Sequence, residues 1–194
     1  SLAKKADIFM IAPATANVIA KIANGIAGDM LTTTFLASKC KKIVSPAMNT
    51  AMFENQITQD NIAKLKKYGI GVVEPQNGLL ACGDTGAGKM PEPDFLFDVI
   101  EREIAREKDM LGKKVLVTAG ATMESLDPVR FLTNHSSGKM GFAIAKEAML
   151  RGAEVTVVKA NTTAEIPNFV KIVEVSSAKD MFDAVTALSD QQDI

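Results

Sequence analysis

"DIFMIAPATANVIAKIANG" (residues 7–25) is the stretch on which the fold class turns. Its first part, "DIFMIA", is a short apolar run ending at Pro13, without the polar–apolar alternation of a half-exposed strand. It reads as a buried strand of the parallel type. The second part places Val18, Ile19, Ile22 and Ala23 at helical spacing, with Gly25 to stop the helix. The same alternation continues downstream. "DMLTTTFLASK" reads as a helix with Asp29 at its N-cap, and "KIVSPAMN" as a brief strand over residues 43–45 broken by Pro46. "TQDNIAKLKKYG" is a helix closed by Gly69, and "GVVEP" is another strand. A connection rich in Gly and Pro follows over residues 75–93. The helix "DFLFDVIEREIAREK" then carries Leu96, Val99, Ile100 and Ile104 on one face. This order predicts an α/β fold, a parallel sheet with helices on its faces.

The pattern resets near residues 109–112. "KKVLVTAG" supplies a strand over residues 115–118, "GKMGFAIAKEAMLRG" a helix, "AEVTVVKA" and "FVKIVEV" two strands, and "AKDMFDAVTAL" a helix. The final "DI" reads as the start of a further strand. Two domains are expected, residues 1–109 and 110–194. Each has about three strands where open parallel sheets usually have five or more, so both read as partial. The chain begins at Ser1 without an initiator Met and is read as a fragment.

A net charge of −1 gives no electrostatic case for nucleic acid. The longest charge-free stretch, "IFMIAPATANVIA", is shorter than a membrane span and contains Pro13, Thr15 and Asn17. Two separated cysteines and one histidine make neither a disulfide framework nor a zinc site, which fits a reducing cytoplasm.

Several stretches can carry chemistry. In "ACGDTGAGKM" (residues 81–90) Gly83 to Lys89 spells G-x-x-x-x-G-K, but Met90 replaces the Ser or Thr of a P-loop. No strand leads in, and Pro91 and Pro93 leave no helix start directly after Lys89. Two readings remain open, a surface loop and a glycine-hinged lid that presents the Cys82 thiol as a proton donor. "SPAMNTAMF" leaves a strand at its carboxyl end, where open α/β sheets bind ligands. Asn49 there can hydrogen-bond a carboxylate or an amide, and Met48 and Met52 can flank an apolar surface such as a flavin ring. An ordinary strand–helix turn is the plain alternative. The small residues of "APATANVIAK" admit close approach of a flat ligand. In the second half, residues 119–138 form a long connection with little periodicity, of the kind that is usually functional or disordered. "TNHSSGKMG" then puts Asn134, Ser136, Ser137, Gly138 and Gly141 at a helix start, where backbone N–H groups and the helix dipole favour phosphate, with Lys139 adding charge. His135 reads as a loop hydrogen-bonding residue.

Taken together, "APATANVIAKIANGIAGDMLTT", "PAMNTAMF" and "ACGDTGAGKM" resemble the decarboxylase half of the bifunctional bacterial coenzyme A enzymes. In these, phosphopantothenoylcysteine decarboxylase is fused to phosphopantothenate–cysteine ligase. "VTAGATMESLDPVRFLTNHSSGKMG" resembles the start of the ligase half. The resemblance covers nearly the whole chain, with three motifs in order. It implies a flavodoxin-like parallel sheet of the flavin-containing cysteine decarboxylases followed by a Rossmann-like ligase domain. It implies that Thr15, Ala16, Asn17, Val18 and Ala47 line FMN, that Asn49 with Met52 holds the substrate, and that Cys82 is the proton donor on a substrate clamp. In the ligase half it implies Asn134 at the acyl-cytidylate step with Arg130 nearby. Ser137, Gly138, Lys139 and Gly141 would then face CTP, with Mg2+ accompanying the nucleotide.

The implied substrates are 4′-phosphopantothenate, cysteine and 4′-phosphopantothenoylcysteine. The implied assembly is a homo-oligomer, trimeric through the flavin domain and paired through the ligase domain. The family's flavin-phosphate loop and catalytic histidine would precede Ser1, and its lysine-rich loop would follow Ile194. Two departures are mild: Lys89 stands where members often carry Arg, and Phe53 where they often carry Trp. The rivals are a monofunctional peptidyl-cysteine decarboxylase, opposed by the ligase-like second half, and a flavin-binding regulator, which typically has long acidic extensions. A plain dehydrogenase would need a G-x-G-x-x-G that "TAGATMES" does not supply.

Overall fold

A computed structural model describes residues 2–79 and 85–194, and the chain divides into two compact units, the first ending at Leu96 and the second spanning Phe97–Ile194. The first unit opens with a helical turn, α1 (Leu2–Lys5). Then come β1 (Ile8–Ala14), α2 (Ala16–Ala23), α3 (Met30–Ala37), β2 (Lys41–Pro46), α4 (Thr50–Glu54), α5 (Gln56–Lys67) and β3 (Gly71–Val72). The three strands form one parallel sheet in the order β1-β2-β3. β1 runs on through Pro13 with a register shift between Ile11 and Ala14, because the prolyl residue donates no ladder bond. Ala14 then pairs with Pro46, so both prolines lie inside strands that the sequence reading ended short of them.

The core of this unit is aliphatic with one aromatic. Ile11, Ile19, Ile22, Val44 and Leu65 pack around Phe35, whose ring meets Phe9 edge-on at 5.4 Å. Asp29 starts α3 as expected. Its carboxylate accepts from the Thr32 N–H at 2.8 Å, and the Thr32 hydroxyl returns a contact to the Asp29 N–H at 3.3 Å, a capping box. The Thr32 amide first, then the Lys21 ammonium at 2.9 Å, hold the Asp29 carboxyl down at about 2.

Residues 75–93, read as a loop, contain an antiparallel pair, β4 (Gln76–Leu79) and β5 (Thr85–Lys89). Glycine-rich strands lack the β-branched signal, so backbone pairing and the neighbours that accept it decide this hairpin. Its tip lies outside the described residues.

The helix α6 (Pro93–Ile104) crosses the division between units. Its later residues pack within the second unit. Glu101 pairs with Lys146 at 3.0 Å, Asp98 accepts from Asn168 at 2.7 Å, and the Arg102 guanidinium stacks over Phe169 at 4.9 Å. The second unit continues with β6 (Lys114–Ala119), β7 (Met123–Ser125), β8 (Phe131–Thr133), α7 (Lys139–Leu150), β9 (Glu154–Lys159), β10 (Lys171–Glu174) and α8 (Ala178–Ser189). Its parallel sheet has the order β10-β9-β6, with Val115, Val117, Val155 and Val157 packed against Phe142, Ala145 and Met149 of α7. The terminal "DI" does bond to the sheet: Ile194 O accepts from Leu116 N–H, and Lys114 O from Asp193 N–H. Residues 119–138 are less irregular than their sequence suggested, since β7 and β8 pair as an exposed hairpin from Met123–Thr133 to Ser125–Phe131. Strands of three residues are too short to show a period.

The close seating of α7 on β6 depends on Gly141. A Cβ there would lie 2.6 Å from the Thr118 carbonyl oxygen and 2.8 Å from the Ala119 methyl. Both belong to β6 and cannot rotate aside. Gly141→Ala is therefore expected to lower stability. Overpacking costs about 1–3 kcal/mol, at the upper end against backbone, and exceeds the roughly 1 kcal/mol gained in helix propensity. A lower midpoint in urea denaturation checks it. Asp29→Ala is expected to destabilise near pH 7. A depressed carboxyl adds stability above its unfolded value of about 4 and loses it as pH falls through its folded value of about 2. The gap between variant and wild type should therefore close between those pH values in acid titrations of stability.

Candidate functional site

In the first unit the parallel ladder carries one bond beyond β1, from the Ala47 N–H to the Ala14 carbonyl at 3.0 Å. That bond sets Ala47 beside the start of α2. Thr15, Ala16, Asn17, Val18 and Ala47, named from the sequence as flavin-lining, thus meet at the carboxyl edge of one sheet. Thr15 is the N-cap of α2, its hydroxyl accepting from the Val18 N–H at 3.4 Å. The next turn holds Asn49, the N-cap of α4, whose Oδ1 accepts from the Ala51 N–H at 2.9 Å. That bond uses the oxygen, so the Nδ2 end is the one suited to a carboxylate. Met52 stands half exposed one turn along α4.

The stem of the β4–β5 hairpin rests on this turn. The Met48 N–H donates to the Gly88 carbonyl at 3.1 Å. A Cβ on Gly88, whose φ is +128°, would fall 2.2 Å from the Met48 carbonyl oxygen, and one on Gly86 would fall 2.5 Å from Thr50 Oγ1. Gly88 thus lets the strand lie against the Met48 backbone and Gly86 against the Thr50 side chain, a role the G-x-G spacing of "TGAGK" could have signalled. Lys89 pairs with Glu92 at 2.9 Å at the foot of the hairpin. Cys82 belongs to the segment joining β4 and β5 and lies outside the described residues. The P-loop reading stays excluded: Thr85–Lys89, where the motif needs a phosphate-cradling loop, is strand β5, and no helix follows Lys89 until Pro93.

Among the described residues, two hydroxyls here are buried without partners, Ser45 Oγ on β2 and Thr50 Oγ1 on α4. Native interiors rarely leave such groups unpaired, since each costs about 1–3 kcal/mol. Two orphaned hydroxyls beside an edge of small residues fit a polar-rimmed flat group such as a flavin. The residues present therefore suit the cofactor that the sequence implies. Neither hydroxyl was singled out from the sequence, where each looks like an ordinary small polar residue.

In the second unit the equivalent extra ladder bond runs from the Ala160 N–H to the Ala119 carbonyl at 2.8 Å. Gly120, with φ +93°, lies so close to the following loop that a Cβ would meet Asn161 O at 2.4 Å. Ser137, Gly138, Lys139 and Gly141 form the start of α7 at the same edge. Gly138 is its N-cap, with φ +77° and no side-chain cap. Asn134 precedes them, its Oδ1 accepting from the Ser136 N–H at 2.8 Å.

Arg130 is not brought to Asn134. The two flank β8, roughly 13 Å apart at the rise of an extended strand. Arg130 bonds instead to Asp127 at 2.6 Å within the hairpin turn. The Val129 and Arg130 amides, then the Arg130 guanidinium, hold the Asp127 carboxyl below its usual range. Among the described residues no three His, Cys, Asp or Glu side chains cluster as a metal site would. No helix among them is long and apolar enough to cross a membrane.

Comparison with known proteins places this geometry. Residues 1–105 match the family model described as Flavoprotein, and residues 110–194 match the DNA/pantothenate metabolism flavoprotein C-terminal domain. The chain is 47% identical over 193 residues to the coenzyme A biosynthesis bifunctional protein CoaBC of Vibrio vulnificus, covering 100% of this chain and 48% of that protein. It is 44% identical over 192 residues to CoaBC of Bacillus subtilis, covering 97% and 47%. The chain thus spans about half the length of the curated relatives it matches. A solved PPC decarboxylase mutant complexed with pantothenoylaminoethenethiol is 35% identical, covering 52% of this chain and 57% of that one, with a TM-score of 0.51. The chain belongs to the flavoprotein family, carries a second domain of the DNA/pantothenate metabolism flavoprotein type, and is a homologue of the bifunctional CoaBC proteins.

Proposed function

We propose that this chain carries parts of both catalytic centres of a coenzyme A biosynthesis enzyme. One centre ligates 4′-phosphopantothenate with cysteine at the expense of CTP. The other decarboxylates 4′-phosphopantothenoylcysteine to 4′-phosphopantetheine with FMN. The observation that carries this reading is the pairing of two family matches in one chain with two carboxyl-edge clusters, one in each unit. The activities would divide between residues 1–109 and 110–194. A flavin is implied by the flavoprotein domain; CTP, Mg2+, a trimer-based assembly with paired ligase domains, and a cytoplasmic location are part of the proposal.

In the first centre Thr15, Ala16, Asn17, Val18 and Ala47 would hold the flavin, with Ser45 and Thr50 as further polar candidates. When bound, the flavin supplies a two-electron oxidation of the cysteine side chain and its later reversal. The chain's own residues meet the remaining requirements. The Nδ2 of Asn49 holds the substrate carboxylate, and Met52 covers the apolar side. Loss of CO2 from the oxidised substrate leaves an ene-thiol, whose carbon needs a proton, and the Cys82 thiol donates it. The match to a protein complexed with pantothenoylaminoethenethiol supports an ene-thiol on this route.

In the second centre the ligation needs an activated carboxylate, formed as an acyl-cytidylate with release of pyrophosphate, which the cysteine amine then displaces to give CMP and the amide. The start of α7, from Ser137 to Gly141, offers N–H donors to phosphate, with Lys139 beside them. Asn134 would donate from Nδ2 at the acyl-cytidylate step. Arg130, paired with Asp127, would have to exchange that carboxylate for substrate.

In the full-length protein, Cys82→Ser is expected to release CO2 while accumulating the unsaturated ene-thiol, read by mass spectrometry. Formation of the saturated product at the normal rate would remove the proton-donor role. Asn134→Ala is expected to slow amide formation about 100-fold or more, the scale of losing one preorganised donor, with decarboxylation of supplied 4′-phosphopantothenoylcysteine unchanged. Intact ligation in that variant would refute the role of Asn134.

A further inference from the structure

The loop after β9 carries a side chain that grips the start of α7. Thr162 donates its hydroxyl proton to the Ser137 carbonyl at 2.6 Å and accepts from the Ala164 N–H at 3.0 Å. A hydroxyl has one proton, and the Ala164 amide occupies one of its lone pairs, so the proton has a fixed destination. A Cβ on Gly138 would lie 2.6 Å from Thr162 Oγ1 and 3.1 Å from Thr162 Cβ. Glycine at 138, already left-handed at φ +77°, is thus required by Thr162 as well as by the turn.

The consequence for an anion is direct. The peptide joining Ser137 to Gly138 is trans and planar, so its carbonyl and N–H point to opposite sides. Thr162 draws the carbonyl onto the β9 loop, which turns the Gly138 N–H the other way. It also keeps a partial negative charge away from the uncapped first turn of α7, where phosphate would be bound through N–H groups and the helix dipole.

We propose that Thr162 is a positioning residue for the nucleotide phosphates, acting through the Ser137 carbonyl and never touching CTP. The proposal rests on the reading of residues 134–141 as the CTP site. Without the hydroxyl, the carbonyl loses its partner and the peptide is free to rotate toward the anion. Nothing in "KANTTAE" marks this role, because the residue contacts its target across 25 positions of sequence.

The test uses the full-length protein, with CTP as the probe in calorimetric titration and in steady-state ligation. Thr162→Val keeps the branched shape and deletes the hydroxyl. It is expected to weaken CTP binding and raise the KM for CTP about tenfold, the scale of one hydrogen bond. The kcat, the KM for cysteine and the melting temperature should stay at wild-type values. Thr162→Ser, which keeps the donor, should bind CTP as the wild type does. Wild-type affinity in the valine variant would overturn the proposal, and so would a serine variant as weak as the valine one. A loss that follows a lowered melting temperature would also overturn it. Absence of CTP binding by the wild-type protein would sink the nucleotide reading itself, and this proposal with it.

Discussion

One constraint governs both halves of the molecule: each parallel ladder is carried by backbone hydrogen bonding past the ends of its strands. In the first unit a bond joins Ala47 to Ala14, and in the second one joins Ala160 to Ala119, where Ala121 and Asn161 exchange a further pair of bonds. A parallel pair cannot turn back on itself, so both strands must leave the sheet at the same edge. That carboxyl edge is where open α/β sheets bind ligands. Side chains larger than alanine at Ala14, Ala47 or Ala119 would crowd that edge. The small residues of both motifs follow from the geometry before any chemistry is considered.

What lies at that edge differs between the units because the next element differs. After β2 comes a five-residue helix capped by Asn49, and a glycine-rich hairpin lies against its first turn. That arrangement sets the backbone of Met48 and Asn49 against Gly88 in the stem of the hairpin. Beyond β6 comes a β-hairpin, then a full helix whose first turn has no side-chain cap. An uncapped helix start is suited to an anion, while a capped short helix beside an apolar face is suited to a carboxylate and a flat ring.

The helix α6 is where local pattern and tertiary contact pull apart. Its apolar stripe, with Leu96, Val99 and Ile100, marks it plainly as an amphipathic helix, and its place in the chain suggests that it closes the first domain. Its partners say otherwise for its later turns, through Glu101 with Lys146 and Asp98 with Asn168. Exposed pairs of this kind add little stability singly. They do fix which surface the helix lies on.

Much of the architecture was legible in the residues. Apolar runs without alternation gave the parallel strands, though β1 is buried only at Ile11 and Ala14; 3.6-residue spacing gave α2, α5, α6 and α7, and Asp29 announced a helix start that the capping box bears out. The position of Thr15 to Val18, Ala47 and Asn49 just past strand ends was legible in short motifs, while their roles were named from the family resemblance. The two hairpins were not legible, since three- to five-residue strands of glycine or exposed side chains have no period to read. Nor were Thr50, Gly86, Gly88 and Thr162, whose parts depend on atoms distant in sequence. Sequence alone determined the elements and the order of the two units, because those depend on short-range spacing and burial. Tertiary structure decided which carbonyl each hydroxyl meets, how close the backbones come, and that Arg130 sits with Asp127 rather than Asn134, because such contacts exist only once distant segments share an edge.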